Sequence, residues 1–384
     1  MEITSAGFSY PQHDGAERAW LAARLVGAAV PNRSFVLSTC LRVEVAVAGD
    51  GAFLEATLEE LFGELPRGLQ PRVRTDADAV RHLFRIASGL ESPILGEQEI
   101  LTQFRQAVLE AEEAGSTDGL FARLLEKAVS VGRRARELMP GSPHNSMAAV
   151  AAQAIGSPER VAVIGSGIMA NAVVENLLHL PVPPLVTVVA RSPEKVSSPE
   201  GVEVWAFDRA IEALETFPAV ISATSAKGRL VDEPTMVDTF ARREQPLALI
   251  DMAMPPDFRP PDVGEITYID IDDLARMAER RPRAKDADAF VEEAALDAYR
   301  QYRDHHEVGP LIAALMRGAD EIVERTVGRF AGRLEDEADQ AVLRQAVHTV
   351  ARTLLAGPVS YVNGSDRAPE AVEVLADAFG IEDG

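Results

Sequence analysis

A run of six residues, Gly165-Ser166-Gly167-Ile168-Met169-Ala170, limits the fold of this chain more than any other feature. It follows the apolar stretch Val161-Ala162-Val163-Ile164 and opens a segment of helical spacing. In that context, Gly-x-Gly-x-x-small marks a strand, a tight turn and a helix N-terminus that cradles a pyrophosphate. Gly165 permits the turn, Gly167 lets a phosphate approach the backbone, and Ala170 allows close helix–sheet packing. The N–H groups at the helix start, over Ser166, Ile168 and Met169, favour an anion. Three more apolar runs follow, Val186-Thr187-Val188-Val189, Ala219-Val220-Ile221-Ser222 and Leu247-Ala248-Leu249-Ile250. Continuous apolar runs suit strands buried on both faces of a parallel sheet, so residues 143–274 read as a doubly wound, Rossmann-type domain.

The end of the second run discriminates the cofactor. An NAD site carries Asp or Glu there for the ribose 2′-hydroxyl, whereas this chain reads Val189-Ala190-Arg191-Ser192. Arginine and a hydroxyl suit a 2′-phosphate, which favours NADPH.

At 384 residues the chain is too long for one core, and roughly 150 residues per domain implies two to three. Residues 1–142 mix strands and helices. Their clearest strand is 34–47, followed by helices near 53–65, 77–87 and 96–115, and Pro140-Gly141-Ser142-Pro143 breaks the chain. Residues 275–384 are helical. Phe290, Ala294, Ala298 and Tyr302, beside Val291, Ala295 and Tyr299, form one apolar stripe. Further helices are expected at 310–333 and 336–356, then a loop at Asn363-Gly364-Ser365-Asp366 before a short terminal helix. A helical tail with little core of its own implies packing on a second copy, hence a homodimer.

The formal net charge of -22 repels polyanions at long range. Two local clusters, Arg133, Arg134 and Arg136, and Arg281, Arg283 and Lys285, nevertheless offer ground for a nucleic acid. No apolar run is long enough to span a membrane, and Met1-Glu2-Ile3-Thr4-Ser5 lacks the features of an export signal. A cytoplasmic protein is expected.

A single cysteine excludes a disulfide framework and a Cys-rich zinc site, leaving Cys40 as a small hydrophobe or a reagent. Read as one strand, residues 35–47 put Cys40 with Ser38, Arg42 and Glu44 on a polar face. Arg42 on that face favours the thiolate, the form that attacks carbonyls. A thiol nucleophile and NADPH together suggest acyl transfer to sulfur and reduction of the thioester to an aldehyde. Residue patterns leave the acyl group open.

Ser38-Thr39-Cys40-Leu41-Arg42-Val43-Glu44 resembles the S-T-C-N-R-x-E nucleophile motif of glutamyl-tRNA reductases, and residues 81–92, running on to Gly96-Glu97, resemble that family's most specific signature. Ala223-Thr224-Ser225, residues 250–255 and residues 270–274 resemble further blocks, in family order. The resemblance implies an α/β catalytic domain at 1–142, the NADPH domain at 143–274 and an all-α linker and dimerisation domain at 275–384. It implies Cys40 as nucleophile toward an aminoacyl-tRNA and His82 as general acid toward the departing ribose oxygen. Arg42 would hold the substrate carboxylate, Thr39, Ser92 and Glu97 would make neighbouring polar contacts, and Thr224 would join the cofactor residues. The resemblance also implies chemistry without a metal and a product passed to an aminomutase.

Leu41 stands where the motif has Asn, Pro93 where an apolar residue is usual, and Glu99 where Gln is usual. These departures keep open a paralogue acting on another aminoacyl-tRNA or acyl thioester. A non-catalytic tRNA-binding protein and a plain NADP dehydrogenase are the other classes.

Overall fold

The computed structural model describes residues 2–117, 119–139, 146–197, 199–224, 226, 228–260, 265–278, 284–331, 337–363, 374–375 and 377–378. The chain break at 140–143, Ser225, Arg281, Arg283 and the loop at 364–366 lie outside them. Residues 2–296 form one compact unit and those from 297 onward a second.

The first unit opens with β1 (Ile3–Ser9), α1 (Gly15–Leu25), β2 (Ser34–Thr39), β3 (Arg42–Ala48), α2 (Gly51–Phe62) and β4 (Arg72–Thr75). The helices α3 (Asp76–Ala87), α4 (Gln98–Glu113) and α5 (Gly119–Glu137) follow. The strands form an antiparallel sheet in the order β2-β3-β1-β4. Residues 34–47, which read as one strand, are a hairpin: Thr39 pairs with Arg42, and Cys40-Leu41 is the two-residue turn. Phe35 pairs with Ala46 and Leu37 with Glu44, so odd positions before the turn share a face with even positions after it. The turn reverses the alternation, and the polar-face reading of Cys40 is corrected: the cysteine belongs to no strand face.

Both faces of this sheet are covered. Val43, Val45 and Val47 pack with Phe8, Leu21, Leu54 and Leu58 beneath α1 and α2, while on the other face Phe35 meets Phe104 of α4 at 5.1 Å between ring centroids. Every residue of β3 is therefore buried, Arg42 and Glu44 included.

The unit continues through α6 (Met147–Ala154), β5 (Arg160–Ile164), α7 (Ile168–Leu178), β6 (Leu185–Ala190), β7 (Glu203–Ala206) and α8 (Ala210–Thr216). It is completed by β8 (Ala219–Ser222), α9 (Glu233–Ala241), β9 (Leu247–Asp251), β10 (Ile266–Asp270) and α10 (Ile271–Ala278). All six strands are parallel, in the order β7-β6-β5-β8-β9-β10. This is the doubly wound order, with its switch point between β5 and β8. The four apolar runs are the four inner strands; β7 and β10 are the edges, less buried and so less apolar.

The hairpin tip docks on this second sheet. Leu41 and Ile94 join the apolar cluster of Met147, Ala151, Ile250 and Met252. Arg18, fully buried on α1, donates from Nε to the Cys40 carbonyl at 3.1 Å, from Nη1 to the His13 carbonyl, and from Nη2 to Asp272 of α10. The Tyr10 N–H donates to the Leu41 carbonyl at 3.0 Å.

Two long helices end the chain, α11 (Lys285–Ala331) and α12 (Glu337–Asn363). The new helix expected at 310 is instead a continuation of α11. Its apolar spacing runs on past Pro310 through Leu311, Leu315, Val323 and Val327, all buried, and packing outweighs the one backbone donor that proline lacks. In the second unit Leu311 and Leu315 pack with Leu355 of α12. Among the described residues no helix is long and apolar enough to cross a membrane.

Arg18→Met leaves Asp272 and two carbonyls without their donor. Removing one partner of a buried pair costs roughly 3–5 kcal/mol, and urea unfolding should show a loss of that size. A loss within the ~0.5 kcal/mol usual for surface substitutions would remove Arg18 from the role given it here.

Candidate active site

The turn after β5 accepts only glycine at its first position. Gly165 has φ +126, and a Cβ there would lie 2.4 Å from the Ala223 carbonyl oxygen. The same Cβ would touch that of Ala170 at 3.4 Å, so strand and helix approach closely, and Ala170 is buried between them. Gly167 caps α7 with extended backbone and no side-chain acceptor, which leaves the first N–H groups of the helix for an anion.

A cavity of about 1060 Å³ opens above this turn, lined by Gly165, Ser166, Gly167, Ile168 and Met169. Arg191 and Ser192, at the end of β6, line it too, as does Thr224 after β8. On the opposite side its wall is the hairpin, through Ser38, Thr39 and Cys40. The volume is at the upper end of the ~300–1,000 Å³ of ordinary small-molecule sites. Glycine cradle, free helix N-terminus and an arginine at the end of the second strand fit NADPH.

Behind Thr224 lies a group that the sequence does not announce. Asp257, fully buried, accepts from Ser222 Oγ at 2.6 Å and from Thr224 Oγ1 at 2.8 Å. The Thr224 hydroxyl proton is thus committed to Asp257, and its oxygen also accepts from the Ala226 N–H at 3.2 Å. These residues are over thirty positions apart in the chain, beyond the reach of any local pattern.

Cys40 is half-buried at the cavity wall. Burial pushes its thiol up to about 12, and Glu97 pushes it further in the same direction, against Arg18 and Arg42. This corrects the expected stabilisation of a thiolate by Arg42: desolvation and a neighbouring carboxylate outweigh two guanidiniums. Glu97, at the N-cap of α4, is itself buried, and burial with Glu99 beside it raises its carboxyl to about 7.

His82 lines a different cavity, of about 480 Å³, with Arg72, Arg74, Arg81 and Arg85. Its Nε2 meets Glu44 Oε1 at 3.0 Å, both side chains buried, while Glu44 Oε2 has no hydrogen-bond partner among the described residues. Arg42 stands between the two cavities. It pairs across the hairpin with Thr39 and donates to the backbone carbonyl of Glu91, which lines the His82 cavity. The structure therefore joins Thr39 and Cys40 to the cofactor residues and sets His82 apart. Among the described residues, Arg42, Ser92 and Glu97 line neither cavity.

Of the three departures from the motif, Leu41 is buried against the nucleotide sheet rather than facing the Cys40 cavity. Glu99 also lies outside that cavity, with a buried oxygen lacking a partner among the described residues. Arg18, which no motif in the sequence singles out, carries the contact that holds the turn.

Three family models match the chain in succession. They are the glutamyl-tRNA(Glu) reductase N-terminal domain at residues 11–139, shikimate/quinate 5-dehydrogenase at 149–277, and the glutamyl-tRNA(Glu) reductase dimerisation domain at 286–381. Glutamyl-tRNA reductase of Geobacillus kaustophilus is 31% identical over 378 residues, covering 91% of this chain and 83% of the relative. That of Salinispora arenicola is 30% identical over 389 residues, covering 94% and 86%. Among solved structures, glutamyl-tRNA reductase from Methanopyrus kandleri aligns over 99% of both chains at 26% identity and TM-score 0.48.

Glu97→Gln removes a charge that exists only above about pH 7. The Cys40 thiol should then titrate lower, and its alkylation by iodoacetamide at pH 8.5 should run about threefold faster or more, a shift of about half a pKa unit. Below about pH 6, where Glu97 is protonated in the parent, the two rates should converge. Equal rates at both pH values would dissociate Glu97 from the thiol.

Proposed function

The chain belongs to the glutamyl-tRNA reductase family, and on that premise we propose how its own residues carry out the NADPH-dependent reduction of glutamyl-tRNA to glutamate-1-semialdehyde. The observation that carries the reading is that Cys40 and the glycine cradle line one cavity.

Cys40 Sγ attacks the ester carbonyl, its proton passing to solvent, the C–O bond to the tRNA ribose breaks, and a thioester forms. His82, its ring held by Glu44, gives a proton to the departing ribose oxygen. That role requires the acyl-tRNA end to reach past Arg42, whose guanidinium is the natural partner for the glutamyl carboxylate. Thr39, Ser92 and Glu97 complete the polar surround. Residues 165–170, Arg191, Ser192 and Thr224 would hold NADPH, which would supply a hydride to the thioester carbonyl; the C–S bond then breaks, and the sulfur takes a proton from solvent as the aldehyde leaves.

The three-part division at 142 and 274 follows the order of the family models. We assign the helical tail to a homodimer, the product to a following aminomutase, and the protein to the cytoplasm. Reduction of a different aminoacyl group gains no support from Leu41 or Glu99, since neither lines the Cys40 cavity.

Incubation with NADPH and tRNA charged with one amino acid at a time, with aldehydes trapped as oximes, should give product from glutamate alone. Product from another amino acid would replace this substrate. Cys40→Ser should make no detectable aldehyde while still binding NADPH, since losing a nucleophile costs on the order of 10⁶ in rate; aldehyde from that variant would rule out the thioester.

Arg191→Ala should raise KM for NADPH at least tenfold, about 1.4 kcal/mol of lost charge-assisted binding, and leave that for NADH nearly unchanged. An equal effect on both would place Arg191 outside the 2′-phosphate site.

A further inference from the structure

The arginine-bearing cavity at His82 lies outside the site assigned to NADPH, and its residues follow from the sheet register. Arg72 pairs with Gly7, and Gly7 with Glu44, so Arg72 shares a cross-strand row with the carboxylate that holds His82. Gly7 leaves this row open, since a Cβ there would lie 2.6 Å from Glu44 Oε2. Arg74 is two residues along β4, on the same face and about 7 Å from Arg72. In the opposite direction, the next row holds Arg42, beside the turn that carries Cys40.

The four arginines differ in what they meet. Arg81 is paired with Asp78 and Glu292, and Arg85 with Glu91, Asp288 and Glu292, at 2.6–3.1 Å. Arg72 and Arg74 have no carboxylate within ion-pair distance among the described residues. They sit on an edge strand, where Arg72 is exposed. Of the other basic cluster, Arg136 is taken up by the carbonyls of Ala87, Gly132 and Glu97, while Arg133 and Arg134 are exposed but line neither cavity. A chain of net charge -22 repels a polyanion over most of its surface, so docking requires cations without acidic partners. Arg72 and Arg74 are free of close ion pairs in this sense: Glu44 and Glu91 act on Arg74 only from beyond ion-pair distance, and its Nη1 donates to the Arg72 carbonyl at 3.5 Å. Their spacing is close to that of successive phosphates along an extended nucleotide strand.

We propose that Arg72 and Arg74, at the rim of the His82 cavity, receive the sugar-phosphate backbone at the 3′ end of the substrate tRNA. The inference rests on the reaction proposed above and adds the place where its polyanion docks. The terminal ribose then lies toward His82 and the acyl group toward Arg42 and Cys40, so that tRNA and NADPH approach the hairpin from separate cavities.

The test is R72Q/R74Q, with R72K/R74K as the charge-conserving control. For the glutamine pair, kcat/KM for glutamyl-tRNA should fall about tenfold or more, carried by KM. The slope of log KM against log[KCl] should shrink by about 1.4, the release expected from two single-strand phosphate contacts. The lysine pair should recover most of both. Unchanged KM and slope in a glutamine variant that melts at the parent temperature overturn the proposal, as does a loss carried by kcat alone. Filter binding of uncharged tRNA separates the two readings. A parent that binds it through Arg72 and Arg74 yet yields no aldehyde keeps the docking site and overturns the reaction.

Discussion

Burying the Arg18 guanidinium between the Cys40 turn and Asp272 ties the hairpin to the nucleotide sheet. A guanidinium out of water must find acceptors for its donors, and these are two carbonyls at one end and a carboxylate at the other. Leu41 adds apolar contact at the same junction, in the cluster of Met147 and Met252. Charge satisfaction and burial thus fix the thiol above the C-terminal ends of the parallel strands, where a doubly wound sheet opens its binding crevice.

The same burial that positions Cys40 raises its pKa, and Glu97 adds to the effect. The resting site therefore holds a neutral thiol. Arg42, buried beside the same turn, donates to the Glu91 carbonyl, and the Glu91 and Glu97 carboxylates feel its charge.

Legibility in the sequence followed the range of the interaction. The glycine cradle was readable because φ and Cβ clearance are set within a few residues, as Gly165 illustrates. The four inner strands were readable because burial on both faces demands continuous apolar runs; the edge strands β7 and β10 face solvent in part and lose that mark. The hairpin was missed because alternation is blind to a reversal: the apolar-polar pattern continues through Cys40-Leu41 while the chain turns back on itself. Pro310 misled for the converse reason, since a local helix breaker was overridden by packing on both sides of it.

By itself the sequence determined the nucleotide domain, its preference for a 2′-phosphate and the lone thiol, since each depends on residue type at short spacing. Tertiary structure alone decided that Cys40 shares a cavity with the cradle, that His82 faces another, and that the thiol rests protonated. These outcomes depend on desolvation and on charges brought together from afar. Arg18 and Asp272, 254 positions apart, meet only in the folded chain.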